Sequence, residues 1–322
     1  MSSSSLQADA RAEEEAGPGV GAEAEDRLGL QLEPRVELHT VEALCAKFQS
    51  VIKGYCDLSL FRWGNSGNIS SDLRMFWCRD GESSYATRSL VKRVSDIVWN
   101  TLAKSQYKDR AHLQSLYSYL TGNKLDCFGV AFAVVAGCQL LGFSDVHLAL
   151  SEDHAWVVFG PEQETAEVTW HGKGNEDKRG QPVEEAKVRE AWLYVGGRPV
   201  VCSRQQEVAA LVSSINFAIS PALDSLEVGS LQQELLWLCY DLGHLARYPM
   251  ALGNLADLEE IAATAGRPSC EELLAEAVLV SQRLYGGHHV YPHTYTAGFR
   301  YRRGDYRGAM RAWAQAAGVV KR

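Results

Sequence analysis

The stretch FGVAFAVVAGCQLLGF, residues 128–143, limits the possible folds of this chain more than any other, because it is the longest run without a charge. It falls short of the ~18 apolar residues that mark a membrane span, so it reads as a buried helix over 128–141. Asp126 stands just before it and Leu141-Gly142 close it. VHLAL and HAWVVFG follow as strand patterns, with TAEVTW at 165–170 as another, which makes the region an α+β unit. After the polar loop HGKGNEDKRGQ come an expected helix over 183–191 and an expected strand, WLYVGG.

Helical periodicity governs the rest. VEALCAKFQSVI at 41–52 is amphipathic, and Leu90, Val94, Ile97, Val98 and Leu102 follow helical spacing. AHLQSLYSYLTG ends at Gly122, a natural helix stop. Leu231, Leu235, Leu238, Leu242 and Leu245 step as one apolar seam of a helix stopped before Pro249, and helices are expected over 251–262 and 271–285. YTAGFRYRRGDYRGAMRAWAQAA has the Gly-Asp-Tyr turn and the Ala309, Ala312, Trp313, Ala316 spacing of a tetratricopeptide-type helical hairpin.

The expected organisation is therefore α+β but mostly helical. Residues 1–36 are a disordered acidic tail, 37–61 an N-terminal helical segment, 62–87 an irregular insertion, 88–203 the α+β domain and 204–322 a helical domain. The net charge of −8 argues against a general nucleic-acid binder and suits a basic peptide or protein partner. Eight cysteines without a C-x-x-C pair read as free thiols of a reducing compartment. The N-terminus MSSSSLQADARAEEEAGPG lacks the basic-then-apolar order of an export signal, and no membrane segment is expected. Nucleotide, serine-hydrolase and zincin motifs are absent, and His147, His154 and His171 lack close ligand spacing, so neither cofactor nor metal is expected. The basic cluster Arg300, Arg302, Arg303 and Arg307 reads as a solvated face.

Two chemistries compete in LALSEDHAWVVFG, residues 148–160. In the first, Cys127 at a helix start is favoured as a thiolate, His154 takes its proton and Glu167 orients the imidazole. In the second, Glu152 and Asp153 present negative charge at a pocket mouth, while Tyr248, Met250, Tyr291, Tyr295 and Trp313 supply apolar and aromatic walls. That mixture fits an extended peptide with an apolar anchor and a nearby Arg or Lys.

The segments KRVSDIVWNTLAKSQYKDRAHLQSLYSYLTGNKLD, VHLALSEDHAWVVFGPEQETAEVTWHGKGNED and LLWLCYDLGHLARYPMALGNLADLEE closely resemble the menin family. The similarity runs from about residue 37 to the C-terminus, apart from 62–87. It implies a transglutaminase-like α+β domain packed on a helical palm with tetratricopeptide-like hairpins, in an N- and C-terminally shortened form. It also implies a nuclear, non-enzymatic scaffold and tumour suppressor whose central cavity binds a basic N-terminal peptide of the mixed-lineage leukaemia histone methyltransferase and, competitively, a peptide of JunD. Other transcription regulators are implied partners; specific direct DNA binding is not.

By the same resemblance the peptide wall comprises Leu150, Ser151, Glu152, Asp153, His154 and Ala155 from the sheet half. The helical half adds Ala210, Ser213, Tyr248, Met250, Tyr291, Thr294, Tyr295 and Trp313. Ala210 stands where the family has Phe, Ser213 where it has Cys, Thr294 where it has Met, Tyr301 where it has Cys and Phe128 where it has Ser. These exchanges alter pocket volume. Cys127 stands at a family serine position, restoring the thiol that a transglutaminase-like amide hydrolase or acyl transferase would need.

Overall fold

A computed structural model describes residues 85–102, 116–169, 177–183, 192–215 and 225–321, together with the helical Ala46. The expected tail over 1–36, most of the helix over 41–52, the insertion as far as residue 84 and the helix over 184–191 lie outside the described residues.

A helix and a sheet pack against the uncharged run. The first helix, α1 (Arg88–Thr101), starts with Thr87 accepting from the Leu90 N–H and turns Leu90, Val91, Val94, Ile97 and Val98 inward. The short α2 (Leu116–Gly122) ends where Asn123 adopts φ 52°. The uncharged run is α3 (Cys127–Leu140), capped by Asp126, which accepts from Gly129 N at 2.7 Å. Its buried residues include Val130, Ala131, Val134, Val135 and Cys138, so it is covered on most sides, as its lack of any charged face requires.

The sheet comprises β1 (His147–Leu150), β2 (Ala155–Phe159), β3 (Glu164–Ala166) and β4 (Val200–Val201), in the order β3-β2-β1-β4. All its pairings are antiparallel, with Leu148 opposite Val157 and Ala149 opposite Trp156. Both faces of β2 are buried. Ala155, Val157 and Phe159 join Leu148 and Leu150 in the main core with α3, while Trp156 and Val158 form a smaller cluster with Ala149, Val183 and Tyr194. Alternation of side chains across the strand thus feeds two clusters from one run of five residues.

WLYVGG is not a strand. Trp192–Gly197 is a kinked 3-10 segment in which Val195, Gly196 and Gly197 have φ of 53°, 57° and 79°. Two glycines make that left-handed run accessible, and its positive φ values take the segment out of extended pairing. Val195, a β-branched residue in strained backbone, is fully buried, and its burial opposes the strain.

Among the described residues six helices follow: α4 (Arg204–Ser213), α5 (Ser225–Asp241), α6 (Pro249–Ile261), α7 (Cys270–Tyr285), α8 (Tyr291–Arg302) and α9 (Tyr306–Val320). Capping boxes start α4 at Ser203–Gln206 and α7 at Ser269–Glu272, and Gly286 in the left-handed region stops α7. The last two helices pack against each other across a short turn, with Asp305 capping α9. One apolar cluster continues from Leu90 and Val134 through Leu236, Leu252 and Leu273, so the sheet half and the helical half share a core.

The leucine seam of α5 needs correction. Leu231, Leu238 and Leu242 are exposed, and the helix ends at Asp241. The buried side is set one residue off, at Gln232, Gln233, Leu236 and Trp237. Its polar members explain why a count of leucines misses it. Glu259 from α6 accepts from Trp237 Nε1 at 2.7 Å and from Gln233 Nε2, and Gln232 Nε2 donates to Val212 O at 3.0 Å, which makes these polar residues compatible with burial. We expect Leu236→Ala to cost about 2–5 kcal/mol in denaturant unfolding and Leu238→Ala to stay within about 0.5 kcal/mol. The reverse order would restore the leucine seam.

Candidate functional site

The loop between β1 and β2 is a tight turn in which Ser151 N donates to His154 O at 2.9 Å and His154 N to Ser151 Oγ at 3.0 Å. Its two acids part company. Glu152 is buried, whereas Asp153 is exposed. The Glu152 carboxylate accepts from Val290 N at 2.7 Å and from Tyr291 N at 2.6 Å. These N–H groups open α8, whose own N-cap residue, Val290, supplies no side-chain cap. A carboxylate from the sheet therefore caps a helix more than a hundred residues away in sequence. Glu152 does not stand at a pocket mouth as charge patterning suggested.

Burial, reinforced by Asp153, pushes the Glu152 carboxyl up to about 7, against the pull of the two N–H donors. Asp153 Oδ1 accepts from the Tyr291 hydroxyl at 2.6 Å. Burial and that same carboxylate push the Tyr291 phenol up, so it remains a donor at neutral pH. The Tyr291 and Tyr295 rings meet edge-on at 6.2 Å.

A second chain of hydrogen bonds runs behind them. Tyr295 Oη donates to Asn254 Oδ1 at 2.8 Å, and Asn254 Nδ2 donates to Ser213 Oγ at 2.6 Å and to Ser213 O at 3.0 Å. The Tyr295 ring lies so close on α6 that a Cβ built on Gly253 would meet it at 2.7 Å. Gly253 and Asn254 were not among the expected site residues, although two poor helix formers inside the apolar MALGNLADL are a readable sign of a packing demand.

Glu152, Asp153, Tyr291 and Tyr295 are thus gathered with Ser213, while Tyr248 is buried and Met250 packs on the core. Leu150, Ala155 and Ala210 are core residues, and Thr294 Oγ1 donates to Tyr291 O at 3.0 Å. Trp313 is 39% exposed and lies 5.9 Å from the Tyr301 ring, so its described ring contact is with Tyr301.

His154 faces inward. Its Nε2 is 2.9 Å from Glu167 Oε2, and Tyr194 Oη donates to the other carboxylate oxygen at 2.9 Å. Its ring stacks on Trp156 at 5.5 Å and meets Tyr194 at 5.4 Å. The glycine-enabled kink at Val195–Gly197 directly follows Tyr194 and helps set its position. Cys127 does begin a helix, but the expected thiolate is not favoured. Burial, then Asp126, push the thiol up to about 11, outweighing the N–H groups of the first turn. Among the described residues no cluster of His, Cys, Asp or Glu could hold a metal, and no helix is long and apolar enough to cross a membrane.

The Glu152 carboxyl has a raised pKa in the fold, so its contribution to stability is fully present below its ordinary 4.5 and is lost as pH rises through about 7. Glu152→Gln does not titrate. The thermal midpoint of the parent relative to this variant is expected to fall by a few degrees between pH 4.5 and 8; a pH-independent gap would remove the assignment.

The family model described as Menin matches residues 12–322. A solved crystal structure of menin, which reveals the binding site for Mixed Lineage Leukemia (MLL) protein, is 52% identical in sequence and superposes with a TM-score of 0.75. The match covers 88% of this chain and 61% of that one, so the chain spans less than two thirds of the menin structure. A mostly helical architecture with a small antiparallel sheet, a family match over nearly the whole sequence and this degree of identity place the chain in the menin family.

Proposed function

We propose that the chain is a non-enzymatic scaffold that binds a short basic peptide of the MLL type at the junction of the Ser151–His154 loop with α6 and α8. The observation that carries this reading is the shared edge formed by Asp153 and Tyr291, which offers an exposed carboxylate beside paired tyrosine rings. An arginine or lysine beside an apolar anchor is the peptide feature such an edge recognises, through charge-assisted hydrogen bonds and cation–π contact. Membership of the menin family and the MLL-binding role of the similar structure support the choice of peptide.

In this reading the sheet half is a transglutaminase-like frame and the α8–α9 hairpin a tetratricopeptide-like unit of the palm. The protein acts in the nucleus on chromatin and transcription, with JunD as a competing ligand.

A thiol hydrolase or acyl transferase built on Cys127, His154 and Glu167 is the competing chemistry. It needs a thiolate near neutral pH, and the Cys127 thiol lies far from that state. His154 and Glu167 are packed among Trp156 and Tyr194, where they serve the frame.

Calorimetric titration with the basic N-terminal peptide of the MLL methyltransferase is expected to give saturable binding that weakens with salt. Combining Asp153→Asn with Tyr291→Phe should weaken it about tenfold or more. Absence of binding by the folded chain at high micromolar peptide would overturn the proposal. Iodoacetamide alkylation of Cys127, followed by mass spectrometry, is expected to stay slow through pH 8 and accelerate only toward pH 11. Fast alkylation at pH 7 would favour the thiol enzyme.

A further inference from the structure

Helical geometry puts His293, Thr296 and Arg300 on the side of α8 opposite Tyr291 and Tyr295. On that side α7, α8 and α9 enclose a groove of about 480 Å³. This lies within the usual size range of small-ligand and peptide-anchor pockets. Leu274, Ala275 and Val278 from α7 and Phe299 from α8 supply apolar lining, and Arg300 and Arg311 supply positive charge.

The two guanidinium groups differ from their neighbours. Arg302 is clamped by Glu260 and Asp257, and Arg303 lies over the Phe299 ring at 5.2 Å. Neither Arg300 nor Arg311 has a carboxylate partner among the described residues; Arg311 Nε makes only a long 3.4 Å contact to Arg307 O. Glu271 also lines the groove, but no ion pair joins it to either arginine. Arg307 is exposed one turn before Arg311 and extends the positive stripe along α9. The hairpin Tyr291–Lys321 carries Arg300, Arg302, Arg303, Arg307, Arg311 and Lys321 against the single acid Asp305, in a chain of net charge −8. Its positive charge is therefore concentrated where the rest of the molecule is acidic.

We infer that this groove is a second peptide-docking site, for a short acidic segment of a partner protein that seats one apolar side chain between Leu274, Val278 and Phe299 and pairs its carboxylates with Arg300 and Arg311. Charge complementarity selects the acidic partner. A nucleic acid would meet the same arginines but would also meet the repulsion of the acidic chain around them. Burial holds His293 below its ordinary pKa, so at neutral pH it adds no charge to the groove wall. The site is separate from the Asp153–Tyr291 edge and does not depend on what binds there.

The test is fluorescence anisotropy on the full chain with a short fluorescein-labelled peptide of alternating leucine and glutamate, and in parallel with a labelled single-stranded oligonucleotide. The expected result is saturable binding of the glutamate peptide, weakened by salt and reduced about tenfold or more by Arg300→Glu combined with Arg311→Glu. Ala275→Trp, which fills the groove from an exposed position without changing charge, should reduce binding as well, and Asp153→Asn should leave it unchanged. Circular-dichroism melting establishes that each variant is folded. Failure of the peptide to bind, parent-like binding by both groove variants, loss on Asp153→Asn, or tighter arginine-dependent binding of the oligonucleotide would each overturn the assignment.

Discussion

The buried carboxylate of Glu152 is the contact on which the arrangement of the two halves turns. The sheet already reaches the helices through Cys202, whose N–H donates to Leu148 O at 2.8 Å just before α4 begins. From the end of α4 the path continues through Ser213 and Asn254 to Tyr295 on α8. Glu152 closes the circuit by binding the first N–H groups of that same helix. A ring of connections fixes the position of α8 against the sheet more firmly than either arm alone. Each arm otherwise leaves a rotation free.

That closure determines what the acidic loop can offer a ligand. Glu152 spends both oxygens on backbone donors, and burial makes its ionised form costly near neutral pH. Asp153 keeps its exposed side, and its bond to Tyr291 orients the phenol without covering the carboxylate fully. Adjacent acids of the same formal charge therefore divide the work: one positions the helix, the other faces the solvent. A similar division operates around His154, where Glu167 is shared with Tyr194 and two aromatic rings flank the imidazole. The geometry that would orient a base also locks it in place.

Where a structural signal is local, the sequence carried it. The uncharged run and the helix expected over 271–285 need only periodicity, and both appear within a residue or two of their expected bounds. The buried face of α5 escapes a count of leucines because it contains Gln232 and Gln233, whose burial depends on Val212 O at the end of α4 and on Glu259 of α6 respectively. WLYVGG was misread because strand-like composition says nothing of the left-handed backbone its glycines permit. For the candidate site, residue types were legible but roles were not. Glu152 as a remote helix cap and Asn254 as a bridge between α4 and α8 are products of tertiary placement, with no pattern at short range to announce them.

The helix that receives Glu152 has two chemically different sides. Toward the sheet loop it presents tyrosines beside an acid; away from it, arginines beside an apolar groove. Both depend on α8 holding its rotation about its own axis, because a turn of one residue would carry Tyr291 away from Asp153 and Arg300 out of the groove together. The N-terminal end of α8 is held by Glu152, and its C-terminal end by Arg302 through Glu260 on α6. With polar anchors from different elements at its two ends, the helix resists slippage in both directions.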